Sequence, residues 1–471
     1  MTDTIAAATD ITQLSLADTA RAYRDGSLSP VEVVGEFVAR AQAHPQLHAY
    51  VDLYAEQAIQ QARASEARLR QGIPFGLLEG IPLAIKDLID IEGRRTTAGS
   101  SIYATRELAR GTATVAQRLH GAGAITLGKV HMVELAFGGW GVNQGAGTPR
   151  NPWDSQAHRV PGGSSSGSGV AVAAGLASAA LGTDTGGSVR IPAAFCGLTG
   201  LKPTEGRVSK AGVTPLSTTL DSVGPMTWTA EDAAWLLQVM QGPDAADPAT
   251  LQPPVRDFLA ALGQPLRGLR IACATPQHYG SVHPAVEQGL RHVAEVFEGL
   301  HATRCDEAFP ALDFSADQHD SSLIMAAEGY AAHGELLAAG GGSGDPGARG
   351  RIEAGRAITA AQYIRALDQR TQRRQLRRAI FDTVDLLVLP TVSIPAALLG
   401  DAHEADPTPS RLTRFVNYYG WCALAMPCGH DEQGLPVSVQ LVAAPYREDL
   451  LLRAASAFQA VTAHHTRRPA L

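Results

Sequence analysis

Two glycine-rich segments carry the serines best suited to covalent chemistry. One reads PGGSSSGSG over 161–169 and contains Ser164, and the other reads GTDTGGSVR over 182–190 and contains Ser188. A serine hydroxyl is a weak nucleophile at neutral pH and needs a neighbouring base. The two glycines before Ser188 leave backbone N–H groups free to converge on the oxyanion that forms when Ser188 attacks a carbonyl. The second segment therefore predicts a nucleophilic serine.

No histidine lies in either segment, and lysine is the base that the sequence offers instead. Arginine replaces lysine on a surface, but its guanidinium keeps its proton and cannot act as a base. Lys86 ends a short apolar run, GIPLAIK, that is typical of a buried strand. Burial there must lower its pKa by about 3 for the amine to be mostly neutral at pH 7. Of 39 basic residues only four are lysines: Lys86, Lys129, Lys202 and Lys210.

The spacing of the two segments predicts that Ser164 and Ser188 lie at the same end of a sheet. A helix over about 165–176 rises roughly 18 Å. A strand over about 177–183 returns roughly 20 Å. Because the two lengths nearly cancel, both serines reach the edge of the sheet where α/β folds place their sites.

A second motif overlaps the first segment. Residues 163–167 match G-x-S-x-G, the turn that presents a nucleophilic serine, here Ser165, in α/β-hydrolases. That turn follows an apolar strand, whereas SQAHRVPG precedes it in this chain, so the match is weak. The glycine-rich phosphate-binding patterns match neither segment, which disfavours a phosphate-binding loop.

The composition argues against several other classes of protein. The 471 residues carry a formal net charge of −7, which disfavours a general nucleic-acid binder because such proteins need a basic face. No apolar run approaches the roughly 20 residues that cross a bilayer. Five scattered cysteines form no CxxC pair, so neither a disulfide framework nor a metal cluster is expected. The first 16 residues lack the pattern of a secretion signal, and we expect a cytoplasmic protein.

Helical patterns fill the N-terminal part of the chain, and strands alternate with helices after it. Residues 13–72 read as three helices, with a start at Ser29-Pro30 and stops at Gly26 and Gly72. From about residue 73 the alternation predicts an α/β fold whose sheet is covered on both faces. Two glycine- and proline-rich stretches, 241–260 and 340–350, are predicted to be surface loops.

Several separated blocks resemble the amidase signature family of hydrolases. They are GIPLAIKDLIDIEG, GGSSSGSGVAVAAGLASAALGTDTGGSVRIPAAFCGLTGLKPTEGRVS, LDSVGPMTWTAEDAA and GLPVSVQLVAAPYREDLLLRAA. The resemblance covers most of the chain and is densest over 74–235. It implies a single large α/β domain with a central mixed sheet and helices on both faces. The family's catalytic domain would occupy 73–471, and 1–72 would form a helical segment that packs on the core.

The resemblance assigns roles to the matching positions. It implies Ser188 as the nucleophile, Ser164 as a bridging serine on a cis peptide after Gly163, and Lys86 as the terminal base. Protons would pass from Ser188 through Ser164 to Lys86 as an acyl-enzyme forms, and Ser164 would return one to the leaving amine. No cofactor and no metal is implied. The N–H groups of Thr185, Gly186, Gly187 and Ser188 would form the oxyanion hole, with Asp184 and Arg190 bracing the loop.

The chain departs from the family pattern at two places. The usual GGSSGGS is GGSSSGS here, with Ser166 in a glycine position, and we expect this change to keep the relay and to affect the packing of the loop. Where many relatives carry small hydroxyl residues before Asn143, this chain has Gly139, Trp140 and Gly141. Trp140, with Gly139, either lines the substrate pocket and favours a flat or apolar group, or packs in the core.

The leading interpretation is a stand-alone amidohydrolase that acts on a small-molecule carboxamide, anilide or carbamate. The alternative is the A-type subunit of a glutamine-hydrolysing amidotransferase, which shares the fold and frees ammonia from glutamine for partner subunits. That subunit has an acidic residue before its late Asn-x-x-Gly segment, whereas the stretch 410–417 contains no acid. The intact Lys86, Ser164 and Ser188 disfavour a non-enzymatic scaffold. The resemblance is also compatible with a homodimer, since relatives often form one.

Overall fold

The fold is built on one mixed β-sheet. A computed structural model of the chain describes residues 10–340, 344–403 and 406–471. The strands, in chain order, are β1 (Tyr50–Leu53), β2 (Pro82–Lys86), β3 (Ile125–Val130), β4 (Ala179–Asp184), β5 (Thr199–Lys202), β6 (Ser222–Thr227), β7 (Arg270–Cys273), β8 (Thr303–Arg304), β9 (Leu386–Pro390), β10 (Cys422–His430) and β11 (Pro436–Ala443). Across the sheet they lie in the order β1-β3-β2-β4-β6-β5-β10-β11-β9-β7-β8.

Parallel and antiparallel pairs both occur in this sheet. β2 pairs in parallel with β3 and with β4, and β7 pairs in parallel with β8 and with β9. The remaining neighbours are antiparallel. Every residue of β2, β3, β4, β6, β9 and β11 is buried, and since strand side chains alternate between faces, both faces of the sheet are covered. The predicted α/β architecture with a mixed, doubly covered sheet is confirmed.

Helices pack on the sheet and bury its strands. α5 (Ser166–Ala173), α6 (Arg190–Cys196) and α7 (Ala230–Met240) pack on the strands in the middle of the sheet, and α9 (Pro284–Gly299) and α15 (Glu448–Val461) pack on β10 and β11. In chain order the α-helices are α1 (Leu16–Asp25), α2 (Pro30–Ala43), α3 (Ala55–Arg70), α4 (Thr114–Gly121), α5 (Ser166–Ala173), α6 (Arg190–Cys196), α7 (Ala230–Met240), α8 (Pro276–Tyr279), α9 (Pro284–Gly299), α10 (Phe314–Ala339), α11 (Pro346–Glu353), α12 (Ala360–Arg378), α13 (Ile380–Thr383), α14 (Arg414–Tyr419) and α15 (Glu448–Val461). Within the described ranges, none of these helices combines the length and apolarity needed to cross a membrane.

The N-terminal segment begins with the helices that the sequence predicts. The Ser15 side chain caps α1, which ends at Gly26 in a left-handed conformation, and Ser29 caps α2. β1, which was not predicted, lies between α2 and α3 and pairs antiparallel with β3. The segment therefore contributes a strand to the central sheet as well as helices. The part of the predicted 1–72 segment before residue 10 lies outside the described residues, and the division of the chain at residue 72 stays a prediction.

The predicted loop over 340–350 is only partly a loop. Residues 341–343 lie outside the described residues, but α11 begins at Pro346. The Asp345 side chain accepts a hydrogen bond from the Ala348 N–H at 2.9 Å and so caps this helix. An aspartate before a proline is a helix start signal that the glycine-rich composition of the stretch concealed. This correction matters for the site, because α11 forms one wall of its cavity.

Candidate active site

Two parallel strands bring the predicted catalytic segments to one edge of the sheet. β2 and β4 pair in register, with Ile85 opposite Leu181. β2 ends at Lys86 and β4 ends at Asp184, so the chain leaves both strands at the same edge. The carboxyl end of neighbouring parallel strands is where open α/β sheets place their sites.

Lys86 lies wholly inside the protein with two hydroxyls beside its amine. Its Nζ donates to Ser164 Oγ at 2.8 Å and to Thr183 Oγ1 at 2.9 Å. Burial lowers the pKa of Lys86 from 10.5 to about 7, although Asp221 and Asp184 act in the opposite direction. Both contacts are hydroxyls that can accept from an ammonium or donate to a neutral amine. Its contact with Ser164 and its lowered pKa therefore allow the amine to exchange a proton with Ser164 near neutral pH.

Ser164 lies in the loop that leads into α5, where its peptide bond with Gly163 is cis. The Ser164 carbonyl accepts from the Val133 N–H at 3.0 Å. The next residue, Ser165, donates its N–H to the Ser188 carbonyl at 3.3 Å, which brings the two glycine-rich segments together. The helix and strand between Ser164 and Ser188 thus return the chain to the same end of the sheet, as the spacing predicts.

Ser188 follows β4 and lines a cavity of about 600 Å³. Ser165, the nucleophile of the weaker motif, does not line this cavity and instead accepts a hydrogen bond from the Thr183 N–H at 3.3 Å. Loop 136–140, the loop before Ser188, α10, α11 and the start of α14 form the cavity walls. The arrangement leaves Ser188, and not Ser165, facing the space that a substrate can enter.

Trp140 is both a packing residue and a lining residue. It is 3% exposed and belongs to a small hydrophobic cluster with Val160 and Phe195. Its Nε1 donates to the Asp406 carbonyl at 3.1 Å. Trp140 and Gly139 also line the cavity that contains Ser188. The two alternatives for Trp140 are therefore not exclusive.

One of the four N–H donors expected for the loop before Ser188 is engaged within the loop itself. The Gly187 N–H donates to Asp184 Oδ1 at 2.8 Å, so this donor is already engaged inside the loop. Among the described residues, the N–H groups of Thr185, Gly186 and Ser188 meet no acceptor. All three residues line the cavity. The set of four predicted donors is therefore reduced to three.

Asp184 and Arg190 form a buried ion pair that holds this loop. Arg190 Nη2 lies 3.0 Å from Asp184 Oδ1, and both side chains are fully buried. Burial by itself raises the pKa of Asp184, but the Arg190 guanidinium outweighs that effect and holds the pKa well below its usual range. Asn417 Nδ2 donates to the same carboxylate at 2.9 Å. Both residues of the pair thus contact the loop before Ser188 and not the cavity.

Three residues that the sequence did not single out complete the site. Thr183 is the second partner of the Lys86 amine, Thr413 Oγ1 donates to the Gly186 carbonyl at 2.6 Å, and Asn417 contacts Asp184. Thr183 could have been predicted from the sequence, because it belongs to the second glycine-rich segment and lies near the end of β4. Thr413 and Asn417 lie more than 220 residues further along the chain, and no local pattern links them to it.

Substitution at Gly187 is expected to disable the loop. Gly187 has a φ of +127°, and a Cβ built there would lie 2.3 Å from Thr413 Oγ1. We expect Gly187→Ala to displace the N–H donors and lower kcat by about 100-fold or more. Steady-state kinetics on a purified, folded variant measures this, with Gly299→Ala as control because its added Cβ meets no atom within 4 Å. An unchanged kcat for Gly187→Ala would show that the loop tolerates a side chain.

The described residues contain no group of three His, Cys, Asp or Glu side chains that could hold a metal ion.

Three of the four lysines are buried. Lys129 pairs with Asp87 at 3.0 Å, and Lys202 donates to the carbonyls of Pro203 and Trp421. Of these three amines, Lys86 is the one that contacts a serine hydroxyl, so its contacts distinguish it from the other two.

Comparison with known proteins identifies the family of this chain. A family model described as Amidase matches residues 32–452. Among curated proteins, the A-type subunit of the glutamyl-tRNA(Gln) amidotransferase of Chloroflexus aggregans is 38% identical, covering 98% of this chain and 99% of that protein. Its counterpart from Cupriavidus metallidurans is also 38% identical, covering 97% and 98%.

Solved structures show the same fold. A chain from a vestigial protein complex, reported as revealing the evolutionary origins of an s-triazine catabolic enzyme, superposes with a TM-score of 0.90 at 32% identity, covering 97% of this chain and 100% of that one. The peptide amidase of Stenotrophomonas maltophilia superposes with a TM-score of 0.82 at 30% identity, covering 97% and 98%. The family model and these relatives span nearly the whole chain, and the chain belongs to the amidase signature family.

Proposed function

We propose that this protein hydrolyses an amide C–N bond through an acyl-enzyme on Ser188, with Ser164 and Lys86 as its proton relay. The observation that carries the proposal is the contact of 2.8 Å between the buried Lys86 amine and Ser164 Oγ, at the edge of the sheet where Ser188 lines a cavity. A buried amine with a pKa of about 7 is a base at neutral pH, unlike an ordinary lysine.

In the proposed first half-reaction, Ser188 Oγ forms a bond to the carbonyl carbon of the amide. Its proton passes to Ser164 Oγ while the Ser164 proton passes to Lys86 Nζ, which becomes an ammonium. The carbonyl oxygen takes the negative charge and faces the N–H groups of Thr185, Gly186 and Ser188. The C–N bond then breaks, and Ser164 gives the leaving nitrogen a proton and recovers one from Lys86.

In the second half-reaction, water attacks the ester of Ser188. The same relay takes a proton from the water, and the collapse of the tetrahedral intermediate returns Ser188 as an alcohol and releases the carboxylic acid. The relay starts and ends each cycle with a neutral Lys86. The cycle thus consumes one amide and one water and needs no other reactant.

A fluorophosphonate probe tests the nucleophile without knowledge of the substrate. We expect the probe to modify Ser188 in the wild-type protein and to leave Ser188→Ala unmodified, with peptide mass spectrometry as the readout. Of the described serines that line the cavity, Ser188 is the one that the proposed relay activates. An adduct on Ser165, or no adduct at all, would overturn the proposal.

Two substrate classes remain within this proposal. The first is a small-molecule carboxamide, anilide or carbamate cleaved by the chain alone. The second is glutamine, cleaved to supply ammonia to partner subunits, and the names of the 38% identical curated relatives favour it. Ammonia release from glutamine, compared with hydrolysis of a panel of amides, anilides and carbamates and with Ser188→Ala as the blank, separates the two.

A further inference from the structure

The peptide group between Gly186 and Gly187 is held from both of its sides. The Gly186 carbonyl accepts a hydrogen bond from Thr413 Oγ1 at 2.6 Å, and the Gly187 N–H donates to Asp184 Oδ1 at 2.8 Å. The carbonyl and the N–H of a trans peptide point in opposite directions, so the two hydrogen bonds together fix the rotation of the peptide plane. In the described chain, Thr413 is the one donor to the Gly186 carbonyl.

This peptide needs such a restraint because glycines flank it. Gly187 has a φ of +127°, and a pair of glycines has no Cβ atoms that would limit the rotation of the peptide between them. The neighbouring peptides carry the N–H groups of Gly186 and Ser188, which meet no acceptor among the described residues. Each of these peptides shares a Cα atom with the Gly186–Gly187 peptide. Rotation of that peptide would therefore change the directions in which both N–H groups point.

Thr413 is itself held in place. Its side chain is fully buried, and a β-branched side chain has few χ1 rotamers. The Thr413 carbonyl accepts from Arg190 Nη2 at 3.0 Å, and the same nitrogen donates to Asp184 Oδ1 at 3.0 Å. The second contact of the Thr413 hydroxyl, with the Ser410 carbonyl, is longer, at 3.2 Å. One guanidinium nitrogen thus joins the two residues, Thr413 and Asp184, that hold the glycine peptide.

Thr413 does not line the cavity, although its neighbours Ser410 and Arg414 do. The proposed base, Lys86, contacts Ser164 and Thr183 instead of Thr413. An effect of the Thr413 hydroxyl on the reaction must therefore pass through the peptide that it holds.

We propose that Thr413 is a positioning residue: its hydroxyl, together with Asp184, holds the Gly186–Gly187 peptide so that the N–H groups of Gly186 and Ser188 face the oxygen of the carbonyl under attack. N–H donors stabilise a developing oxyanion best when they are oriented before the reaction begins. This inference rests on the proposed acyl-enzyme and adds to it a side chain that lies 227 residues from Gly186 along the chain.

The rate of fluorophosphonate labelling tests this role, because the phosphoryl oxygen of the probe gains negative charge where a carbonyl oxygen would. In Thr413→Val a methyl group replaces the hydroxyl at nearly the same volume. We expect the labelling rate constant to fall by about 10- to 100-fold, less than the roughly 10²- to 10³-fold for removal of a whole donor, because the donors remain but lose their fixed direction. Thr413→Ser keeps the hydroxyl and should label at nearly the wild-type rate.

The pH profile of labelling separates this role from damage to the relay. The rise of the rate near pH 7 is expected from the Lys86 amine. In Thr413→Val the plateau above this rise should be lower, while the rise itself should stay at the same pH.

Thr227→Val is the matched control. Thr227 is as fully buried as Thr413, and its hydroxyl also donates to a backbone carbonyl, that of Thr229, at 2.8 Å. It lies at the end of β6 opposite Ser222, the residue that pairs with Asp184. The control should label at nearly the wild-type rate.

Three results would overturn the role of Thr413: labelling of Thr413→Val at the wild-type rate, equal losses in the valine and serine variants, or a shift of the pH profile in Thr413→Val. If circular dichroism shows that Thr413→Val does not fold, Thr413→Ala removes the same hydroxyl and is measured against the same expectations. Failure of the probe to label Ser188 in the wild type would instead contradict the proposed hydrolysis, so the two failures are distinguishable.

Discussion

Replacement of Lys86 by methionine is expected to lower the rate of Ser188 acylation by about 1,000-fold or more. A positioned general base contributes about 10²- to 10⁴-fold, and the members of a relay act as a unit, so loss of the terminal base disables all of it. Methionine fills most of the volume of the lysine stem but cannot accept the proton that Ser164 must release. The rate of fluorophosphonate labelling measures the loss.

The control for this variant is Lys210→Met, which removes an amine that donates to the Thr218 carbonyl outside the relay. It should label at nearly the wild-type rate. If Lys86→Met labelled as fast as Lys210→Met, the relay would have to end at another group, and the role of Lys86 would be wrong.

The pH dependence of the acylation rate follows from the ionisation of the Lys86 amine. Burial brings the pKa of Lys86 to about 7, and only the neutral form can take a proton. The acylation rate should therefore rise with pH through about 7 and level off above it, and Lys86→Met should lack this limb. A wild-type profile whose limb falls near pH 10, the value for an exposed lysine, would contradict the burial of the amine.

Loss of activity in Lys86→Met should not be accompanied by loss of stability. The pKa of Lys86 is about 7 in the folded state against an ordinary value of 10.5, so the unfolded chain binds more protons between these pH values. The contribution of Lys86 to the free energy of unfolding is thus unfavourable below pH 7 and improves as the pH rises from 7 to 10.5. We expect Lys86→Met to be at least as stable as the wild type at pH 7 in urea unfolding.

Asp184→Asn is expected to have the largest effect on stability. The carboxylate accepts from Arg190 and from the N–H groups of Gly187 and Val189, with no exposure to solvent. Asparagine keeps the shape but leaves the Arg190 guanidinium buried without its counterion. Breaking a buried pair from one side costs about 3–5 kcal/mol, and we expect a loss of this size in the free energy of unfolding.

Asp385→Asn is the matched control for this substitution. Asp385 also accepts from an arginine, Arg270, but the Arg270 side chain is 39% exposed. Solvent screens such a pair, and we expect a change of about 1 kcal/mol or less. Equal losses in the two variants would mean that burial of the Asp184–Arg190 pair does not determine its contribution.

The acid dependence of stability should also differ between the wild type and Asp184→Asn. Because the folded-state pKa of Asp184 is held below its ordinary 3.8, the pair contributes its full stabilisation above that pH. The contribution is lost as the pH falls through the folded-state pKa. Wild-type stability should therefore decrease with acidification below about pH 4 more steeply than that of Asp184→Asn, as urea unfolding at a series of pH values shows.

Local patterns account for the parts of the fold that were predicted correctly. The capped starts of α1 and α2, the apolar run of β2 and the helix–strand return from Ser164 to Ser188 each depend on residues within about 25 positions of one another. Such features follow from capping, side-chain periodicity and the rise per residue. The motifs around Lys86, Ser164 and Ser188 also sufficed to identify the family.

Features that depend on distant partners were missed. β1 is a four-residue strand whose partner, β3, lies about 75 residues further along the chain, and an edge strand this short carries little periodicity. The composition of 340–350 concealed α11. The engagement of Gly187 by Asp184 was not foreseen either, because a glycine-rich sequence shows which N–H groups are unobstructed but not which are already bonded.

The sequence by itself indicated the segment of the proposed nucleophile, the lysine as the base to consider, and the doubly covered α/β sheet, because each depends on residues that lie close together along the chain. The tertiary structure alone decided that the Lys86 amine is buried against Ser164 and Thr183, since desolvation depends on everything packed around it. It also decided the walls of the cavity, where the stem of Arg414 packs on the Ser188 loop from more than 220 residues away. Local motifs thus indicate the residues of the proposed reaction, whereas contacts between distant segments set the pKa of the proposed base and the shape of the cavity.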